Sequence, residues 1–222
     1  LVQGAAMIVR EERIGDCRLI LGDCLKVMPL LGKVDAVVTD PPYGLGKKMQ
    51  GGTWAAKVHN DGFLKWDLEA KQEWVDCILS IDVPTIIWGG NYFQVPASRC
   101  WLIWNKVNAV PTMADFEQAW TNFDRPSKRI DLNVGRVEYG HPTQKPLKLI
   151  EWCLGFLPDA KHILDPFMGS ATTLVACAKA GKSCTGIEID PEYFDLACRR
   201  VESAYGARDR FSDVNAAQGT LL

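Results

Sequence analysis

The sequence predicts an α/β fold built around a doubly wound, mostly parallel β-sheet. Apolar runs of four to six residues alternate along the chain with segments whose apolar residues recur at helical spacing. That alternation is typical of strand–helix–strand units, which build parallel sheets. The chain has 222 residues, 47% of them hydrophobic, which is enough to bury one full core. We therefore expect a single domain over residues 7–206, followed by a flexible tail over residues 207–222.

Seven strands and four helices make up the predicted fold. The apolar runs predict strands at about 17–21, 34–39, 84–88, 100–104, 116–121, 162–165 and 183–188. The helical spacing predicts helices at about 68–80, 147–157, 171–180 and 191–204. In the last helix, Phe194, Ala197 and Val201 recur on one side, which places Arg199 and Arg200 on the solvent side.

The tetrapeptide Asp40-Pro41-Pro42-Tyr43 follows the strand predicted at 34–39. Each proline fixes φ at about −65° and keeps the residue before it extended, so the chain cannot continue as a helix. The carboxylate and the backbone carbonyl groups accept hydrogen bonds, and the tyrosine offers a flat ring. This set suits a planar group that carries an NH₂, although a Pro-Pro pair is also common in ordinary turns that end strands.

A second motif covers residues 163–173 and predicts a strand, a turn of small residues and the start of a helix. Gly169, Ser170 and Ala171 let a ligand approach the backbone closely, and the N–H groups at a helix start favour a negatively charged ligand group. The next predicted strand ends at Glu188, and an acid in that place typically holds ribose hydroxyl groups. One glycine-rich loop is weak evidence, but the loop, helix, strand and acid together favour a ligand that carries a ribose.

These motifs resemble those of the amino-group DNA methyltransferases, which use S-adenosylmethionine. That family carries an Asp-Pro-Pro-Tyr catalytic motif and an Asp-Pro-Phe-x-Gly-Ser-Gly-Thr-Thr cofactor loop, which match residues 40–43 and 165–173. The catalytic motif comes first, as in the circularly permuted β-group of the family. Residues 21–24 and 141–152 match two further stretches, so the resemblance spans about residues 17–204. It implies a Rossmann-like methyltransferase fold with a circularly permuted motif order.

The resemblance also implies a role for each matched residue. The catalytic residues would be Asp40, Pro41, Pro42 and Tyr43, with Tyr43 stacking on a base flipped out of the duplex. The cofactor residues would be Asp23, Cys24, Thr143, Lys145, Asp165, Phe167, Gly169, Ser170, Thr172 and Glu188. Within the domain, the catalytic part would span about 17–110, a short DNA-contact segment about 105–140, and the cofactor part about 141–204.

The sequence departs from the family in two places. Ala171 stands where the family has its second glycine, which is mild if φ is negative there and costly if φ is positive. In addition, residues 90–140 leave little room for the target-recognition insertion that family members usually carry. The second departure bears on strict sequence specificity more than on the chemistry.

Positive charge collects on either side of the catalytic motif, although the formal net charge is −2. Residues 44–66 hold four basic residues and one acid, and residues 99–148 hold eight basic residues and five acids. Two such clusters favour phosphate contacts, with solvated loops as the alternative for either one alone. The candidate DNA-binding residues are Lys47, Lys48, Arg125, Lys128 and Arg129.

Composition argues against several other classes of protein. The eight cysteines form no Cys-x-x-Cys pair and mostly lie in apolar runs, as buried free thiols do, and with three scattered histidines we predict no metal site. No apolar stretch approaches the roughly 20 residues of a membrane span, and the N-terminus carries no secretion signal. We expect a cytoplasmic protein, encoded by a prokaryote or a phage, that binds double-stranded DNA and no membrane.

We therefore expect an adenine-specific DNA methyltransferase that acts on the N6 amine in double-stranded DNA. The N4 amine of cytosine stays open, although Asp rather than Ser at position 40 favours adenine by the habit of the family. A protein glutamine methyltransferase would carry Asn-Pro-Pro-Tyr and place the cofactor loop first, and the intact residues 40–43 argue against a protein that has lost catalysis. The recognition sequence, a homodimer and a companion restriction endonuclease stay open.

Overall fold

The structure, a computed structural model, describes residues 7–44, 69–109, 114–134 and 144–219, with side chains described up to residue 207. The strands in these ranges are β1 (Ile8–Ile14), β2 (Cys17–Gly22), β3 (Ala36–Thr39), β4 (Thr85–Trp88), β5 (Trp101–Lys106), β6 (Phe116–Thr121), β7 (Lys128–Leu132), β8 (His162–Asp165) and β9 (Ser183–Glu188). All seven predicted strands are confirmed to within two residues. The sequence patterns missed β1 and β7, because both strands are rich in charged residues and lack an apolar run.

The helices are α1 (Cys24–Val27), α2 (Gln72–Leu79), α3 (Leu147–Leu154), α4 (Thr172–Ala180) and α5 (Pro191–Gly219). The four predicted helices are confirmed, and the four-residue α1 is an addition. Helix α5 does not end near residue 204 as predicted but continues to Gly219, through most of the segment assigned to a flexible tail. No proline follows Pro191 and Gly206 is the only glycine before Gly219, so no strong breaker ends the helix earlier.

The chain divides into two compact units at Thr39/Asp40 and again after Val134. The first unit holds the described residues up to Thr39 and from Gln144 onwards, and the second holds those from Asp40 to Val134. Residues 17–39, which the sequence assigns to the catalytic part, therefore belong to the same unit as the cofactor part.

In the first unit the strand order is β1-β2-β9-β8-β3. Only β1 pairs antiparallel; the pairs β2–β9, β8–β9 and β3–β8 are parallel. The carboxyl ends of β3, β8 and β9 therefore lie at one edge of the sheet, where they present Thr39, Asp165 and Glu188. This edge is where open α/β sheets bind their ligands.

In the second unit the strand order is β4-β6-β5-β7. Strand β6 pairs antiparallel with both β4 and β5, whereas β5 and β7 are parallel. The core is built from tryptophan and aliphatic side chains, including the fully buried Trp88 and Leu102, and α2 buries Val75 and Ile78. Four of the seven strand pairs described above are parallel, which confirms the predicted α/β fold with a mostly parallel sheet.

The cysteines are all free thiols, and seven of the eight are buried, which confirms their predicted state. Among the described residues, no group of three or more His, Cys, Asp or Glu could hold a metal ion. No helix in the described part of the chain is long and apolar enough to cross a membrane.

Candidate active site

Asp165, at the end of β8, is buried and ties two parallel strands together. Its Oδ1 accepts a hydrogen bond from the Thr39 hydroxyl at 2.8 Å and another from the Phe167 N–H at 3.1 Å. Thr39 is the last residue of β3, so a single carboxylate oxygen joins the ends of β3 and β8 and the start of the loop that follows. The side chain of Asp165 thus shapes this loop, and its predicted contact with a cofactor stays a prediction.

Glu188, at the end of β9, is bound by three backbone N–H groups. Its Oε2 accepts from Gly169 at 2.9 Å, and its Oε1 accepts from Ile189 at 2.9 Å and from Asp190 at 2.8 Å. Burial nevertheless raises the pKa of Glu188 to about 7, against the opposing effect of these three donors. Glu188 therefore links the loop after β8 to the end of β9 and changes its charge near neutral pH.

Ala171, which stands where the family has glycine, adopts the conformation that is costly for alanine. Its φ is 64°, in the left-handed region, and the residue is fully buried at the start of α4. In this region the conformational free energy of an L-residue is roughly 1–2 kcal/mol less favourable than that of glycine. The neighbouring Gly169 also has a positive φ, of 48°, so two of the three residues from 169 to 171 adopt conformations that suit glycine.

Most of the remaining predicted cofactor residues belong to the described part of the first unit. Ser170, Thr172, Cys24 and Lys145 are buried, and Phe167 is half-buried. Thr143 lies outside the described residues. Asp23 caps α1, because its Oδ1 accepts from the Leu25 N–H at 3.1 Å, and its Oδ2 lies 3.5 Å from the Lys26 ammonium group.

Ile189 is a candidate that the sequence patterns missed. It follows Glu188 directly and its surface is 68% exposed, the largest exposure among the big apolar residues in the described ranges. An exposed apolar side chain beside the acid that is predicted to bind ribose offers a surface for the flat face of a nucleobase. Its position in the sequence, one residue after the acid that ends β9, is the signal that could have indicated it.

In the second unit, Asp40 and Tyr43 are joined directly. The Tyr43 hydroxyl donates a hydrogen bond to Oδ1 of Asp40, which closes the tetrapeptide into a compact turn. Pro41 is buried and Pro42 is half-buried. Gly44 follows with a φ of 73°, where a side chain would also approach the backbone of Ala70.

The ring of Tyr43 is held by two residues that lie after β4. Tyr92 stacks on it with ring centroids 4.9 Å apart and an angle of 21° between the ring planes. Gly89 lies so close to the ring that a Cβ at this position would overlap three of its carbon atoms, and its φ is 66°. The sequence patterns missed both residues, since nothing in the run Trp88-Gly-Gly-Asn-Tyr92 reveals that it packs against residues 40–43.

A buried ion pair lies in the same unit. Nζ of Lys106 is 2.6 Å from Oε1 of Glu117, and the Lys106 side chain is only 6% exposed. Burial raises the pKa of Tyr43 well above its ordinary value of 10.0, and the negative charges of Asp40 and Glu117 raise it further. Tyr43 therefore keeps its hydroxyl proton at neutral pH and can remain a donor to Asp40.

The predicted DNA-binding residues fall into two groups. Arg125, Lys128 and Arg129 are exposed in the second unit, Arg125 between β6 and β7 and the other two at the start of β7. The Arg125 guanidinium lies 5.3 Å from the centre of the Phe123 ring, and Arg129 pairs with Asp131 at 3.2 Å. Lys47 and Lys48 lie outside the described residues. The role of all five in DNA binding stays a prediction.

Comparison with known proteins finds similarity to DNA methyltransferases. Residues 94–199 match the family model described as DNA methylase, which covers N6 and N4 methyltransferases. The type II methyltransferase M.HpaI of Haemophilus parainfluenzae is 24% identical over 251 residues, covering 89% of this chain and 78% of the relative. The type II methyltransferase M.ScaI of Streptomyces caespitosus is 24% identical over 260 residues, covering 85% and 82%. These findings support a DNA amino-methyltransferase.

Two solved structures show that the chain shares its fold with DNA methyltransferases. The M1.HpyAVI–SAM complex has a TM-score of 0.57 and 24% identity, over 83% of this chain and 98% of that chain. PvuII DNA methyltransferase (cytosine-N4-specific) has a TM-score of 0.59 and 14% identity, over 90% and 95%. The predicted Rossmann-like methyltransferase fold is thereby confirmed.

Proposed function

We propose that this methyltransferase methylates the N6 amine of adenine in double-stranded DNA, with Asp40 and the Pro41 carbonyl group as acceptors for the amine. The observation that carries the proposal is the hydrogen bond from the Tyr43 hydroxyl to the Asp40 carboxylate. It places a carboxylate and an aromatic ring together in one short turn, as binding of a flat base through its NH₂ group requires.

The cofactor is S-adenosylmethionine, which supplies a methyl group on a positively charged sulfur. Glu188 is suited to accept hydrogen bonds from the ribose hydroxyl groups, since a carboxylate has about four lone-pair sites and the backbone takes three here. Ile189, exposed beside it, offers an apolar surface to the adenine ring. We assign Asp23, Cys24, Thr143 and Lys145 to the cofactor by their match to the family motifs.

The chemistry requires help from the protein because the lone pair of an exocyclic amine is delocalised into the base. Two acceptors, Asp40 and the Pro41 carbonyl, would take the two N–H bonds and favour a pyramidal nitrogen whose lone pair points at the methyl group. S-adenosylmethionine would supply the methyl group from its sulfonium, which becomes a neutral thioether, and Asp40 would accept the proton that the amine nitrogen loses. Groups placed to fit this transition state better than the ground state accelerate the step.

The target amine cannot be reached in this geometry inside a duplex, so the base has to leave the stack. Tyr43 offers a ring for the extruded base, and Tyr92 supports that ring from within the same unit. Arg125, Lys128 and Arg129 are proposed to contact phosphate groups, which would make binding sensitive to salt. The names of the relatives, type II methyltransferases, support a role in a restriction–modification system.

Analysis of methylated nucleosides tests the proposed base directly. The purified protein is incubated with S-adenosylmethionine and DNA, which is then hydrolysed and analysed by liquid chromatography and mass spectrometry. We expect N6-methyladenine with the wild type, formed about 10²–10³-fold more slowly with Asp40→Ala. If the only modified base is N4-methylcytosine, the target is cytosine and not adenine. Unmodified DNA in every sequence context would overturn the proposal.

A further inference from the structure

Arg200 does not point to solvent as its position in the helical pattern predicts. It lies on α5, half-buried, and its Nη1 donates a hydrogen bond to the backbone carbonyl oxygen of Ser170 in the loop after β8. The neighbouring Arg199 is exposed. A charged donor thus contacts the loop that carries the strained Ala171.

The carbonyl of Ser170 and the N–H of Ala171 belong to the same peptide unit, and both ends of this unit are held. The N–H of Ala171 donates to the Met168 carbonyl at 2.6 Å, while the Ser170 carbonyl accepts from Arg200. The angle φ of Ala171 describes the rotation of this peptide unit about the N–Cα bond. A change of φ from 64° to a negative value would swing the carbonyl away from Arg200 and the N–H away from Met168.

We infer that Arg200 is a positioning residue for the cofactor loop, because it holds the peptide unit before Ala171 in a conformation that alanine disfavours. Where the family carries glycine, the positive φ costs little and the loop needs no such restraint. Here Ala171 adopts the positive φ at a cost in conformational free energy. The charge-assisted hydrogen bond from Arg200 offsets this cost. The carbonyl of Ala171 also accepts from Val175 at 3.0 Å in the first turn of α4, so the restraint extends to the start of that helix.

The consequence for the cofactor follows from the place of the loop. Gly169, Ser170 and Ala171 join the end of β8 to α4, and Gly169 is bonded to Glu188, the proposed ribose acceptor. If the Ser170–Ala171 peptide rotates, the backbone that faces the ligand changes shape and the N-terminus of α4 loses its defined start. Arg200 would therefore act on cofactor affinity without touching the cofactor. This inference rests on the proposed cofactor site.

The test combines Arg200→Ala with Ala171→Gly. Calorimetry with S-adenosylmethionine should show that Arg200→Ala weakens binding about tenfold, as expected for the loss of one charge-assisted hydrogen bond. In the double variant, Ala171→Gly should restore most of the lost affinity, measured against Ala171→Gly alone as the parent, since glycine accepts the positive φ without the restraint. Arg199→Ala, the matched control on the same helix turn, should bind as the wild type does.

A second readout needs no cofactor. Hydrogen exchange of the Ala171 amide, which donates to Met168, should accelerate in Arg200→Ala and slow again in the double variant. Loss of affinity that Ala171→Gly does not rescue would overturn the inference, because Arg200 would then act through the packing of α5. Wild-type affinity and exchange in Arg200→Ala would overturn it as well. A wild-type protein that fails to bind S-adenosylmethionine but shows the expected exchange pattern would overturn the cofactor site and keep the role of Arg200 in the loop.

Discussion

The hydroxyl group of Tyr43 donates a hydrogen bond to Oδ1 of Asp40, so the first and last residues of the proposed catalytic turn bind each other. The bond restrains the Asp40 carboxylate before any substrate arrives. It does not exhaust the acceptor capacity of the group, because a carboxylate has two oxygens with about four lone-pair sites. The tyrosine of this motif thus has two separable parts, a ring that stacks and a hydroxyl that orients.

Substitutions at Asp40 and Tyr43 should separate the contributions of the carboxylate, the ring and the hydroxyl group. Asp40→Ala should lower the methyl-transfer rate about 10²–10³-fold, as is typical when one group that stabilises a transition state is removed. Tyr43→Phe keeps the ring and loses one hydrogen bond of about 1 kcal/mol, so we expect a rate roughly fivefold lower. Tyr43→Ala should lose a further stacking energy of about 1–3 kcal/mol. Single-turnover rates on a duplex target measure all three.

Gly89 should tolerate no side chain, for two reasons that a matched glycine can separate. Gly89 and Gly181 have the same φ of 66°, but a Cβ at Gly89 would overlap the Tyr43 ring, whereas a Cβ at Gly181 meets nothing within 4 Å. Gly181→Ala should therefore cost only backbone strain, about 1 kcal/mol of unfolding free energy, and keep the methylation rate. Gly89→Ala should also displace Tyr43 and lower the rate at least tenfold. A Gly89→Ala variant as active as Gly181→Ala would show that the ring position does not matter.

The sequence predicts β2, β3, β8 and β9 of the first unit well, because each of these strands is an apolar run that ends at or just before an acidic residue. Asp165 and Glu188 end their strands as the pattern indicates. The patterns fail at β1 and β7, which are charged strands stabilised by pairing rather than by an apolar run. The prediction for Arg200 is wrong for a related reason. Helical spacing assigns its side chain to solvent, and only the tertiary hydrogen bond to Ser170 gives it a role.

The proposed catalytic motif at residues 40–43 is visible in the sequence, but the residues that hold it in place are not. Pro41 and Pro42 restrict the backbone locally, so the turn at residues 40–43 follows from the residues themselves. Gly89 and Tyr92 lie more than 40 residues away, and their contact with Tyr43 depends on how the second unit packs. Such contacts require coordinates, because no periodicity or spacing links the two segments.

The ion pair between Lys106 and Glu117 should contribute to stability in a way that depends on both partners. Lys106→Met leaves the carboxylate of Glu117 in a mostly buried place without this ammonium group, which should cost about 3 kcal/mol of unfolding free energy. The double variant Lys106→Met/Glu117→Gln removes both charges and should recover most of that loss. Denaturant unfolding of the two single variants and the double variant measures the coupling. Lys128→Met, an exposed lysine on the neighbouring strand β7, is the control and should change stability by less than about 0.5 kcal/mol.

Glu188 should make stability and cofactor affinity respond to pH with opposite signs. The pKa of Glu188 is about 7 in the folded protein against an ordinary value of 4.5, so between these values the folded state holds a proton that the unfolded state has released. The stabilising contribution of Glu188 is therefore complete below about pH 4.5 and is lost as the pH rises through about 7. Cofactor affinity should rise over the same range, because the ionised carboxylate is the stronger acceptor for the ribose hydroxyl groups.

Glu188→Gln provides the comparison, since its side chain does not titrate. Denaturant unfolding between pH 5 and pH 8 should show a steeper fall of stability in the wild type than in Glu188→Gln, and calorimetry should show a steeper rise of S-adenosylmethionine affinity. Glu192→Gln, at an exposed glutamate in the first turn of α5, should leave both pH profiles as in the wild type. If the profiles of the wild type and Glu188→Gln run parallel in both measurements, Glu188 does not titrate in this range and its burial is offset by the three N–H donors that bind it.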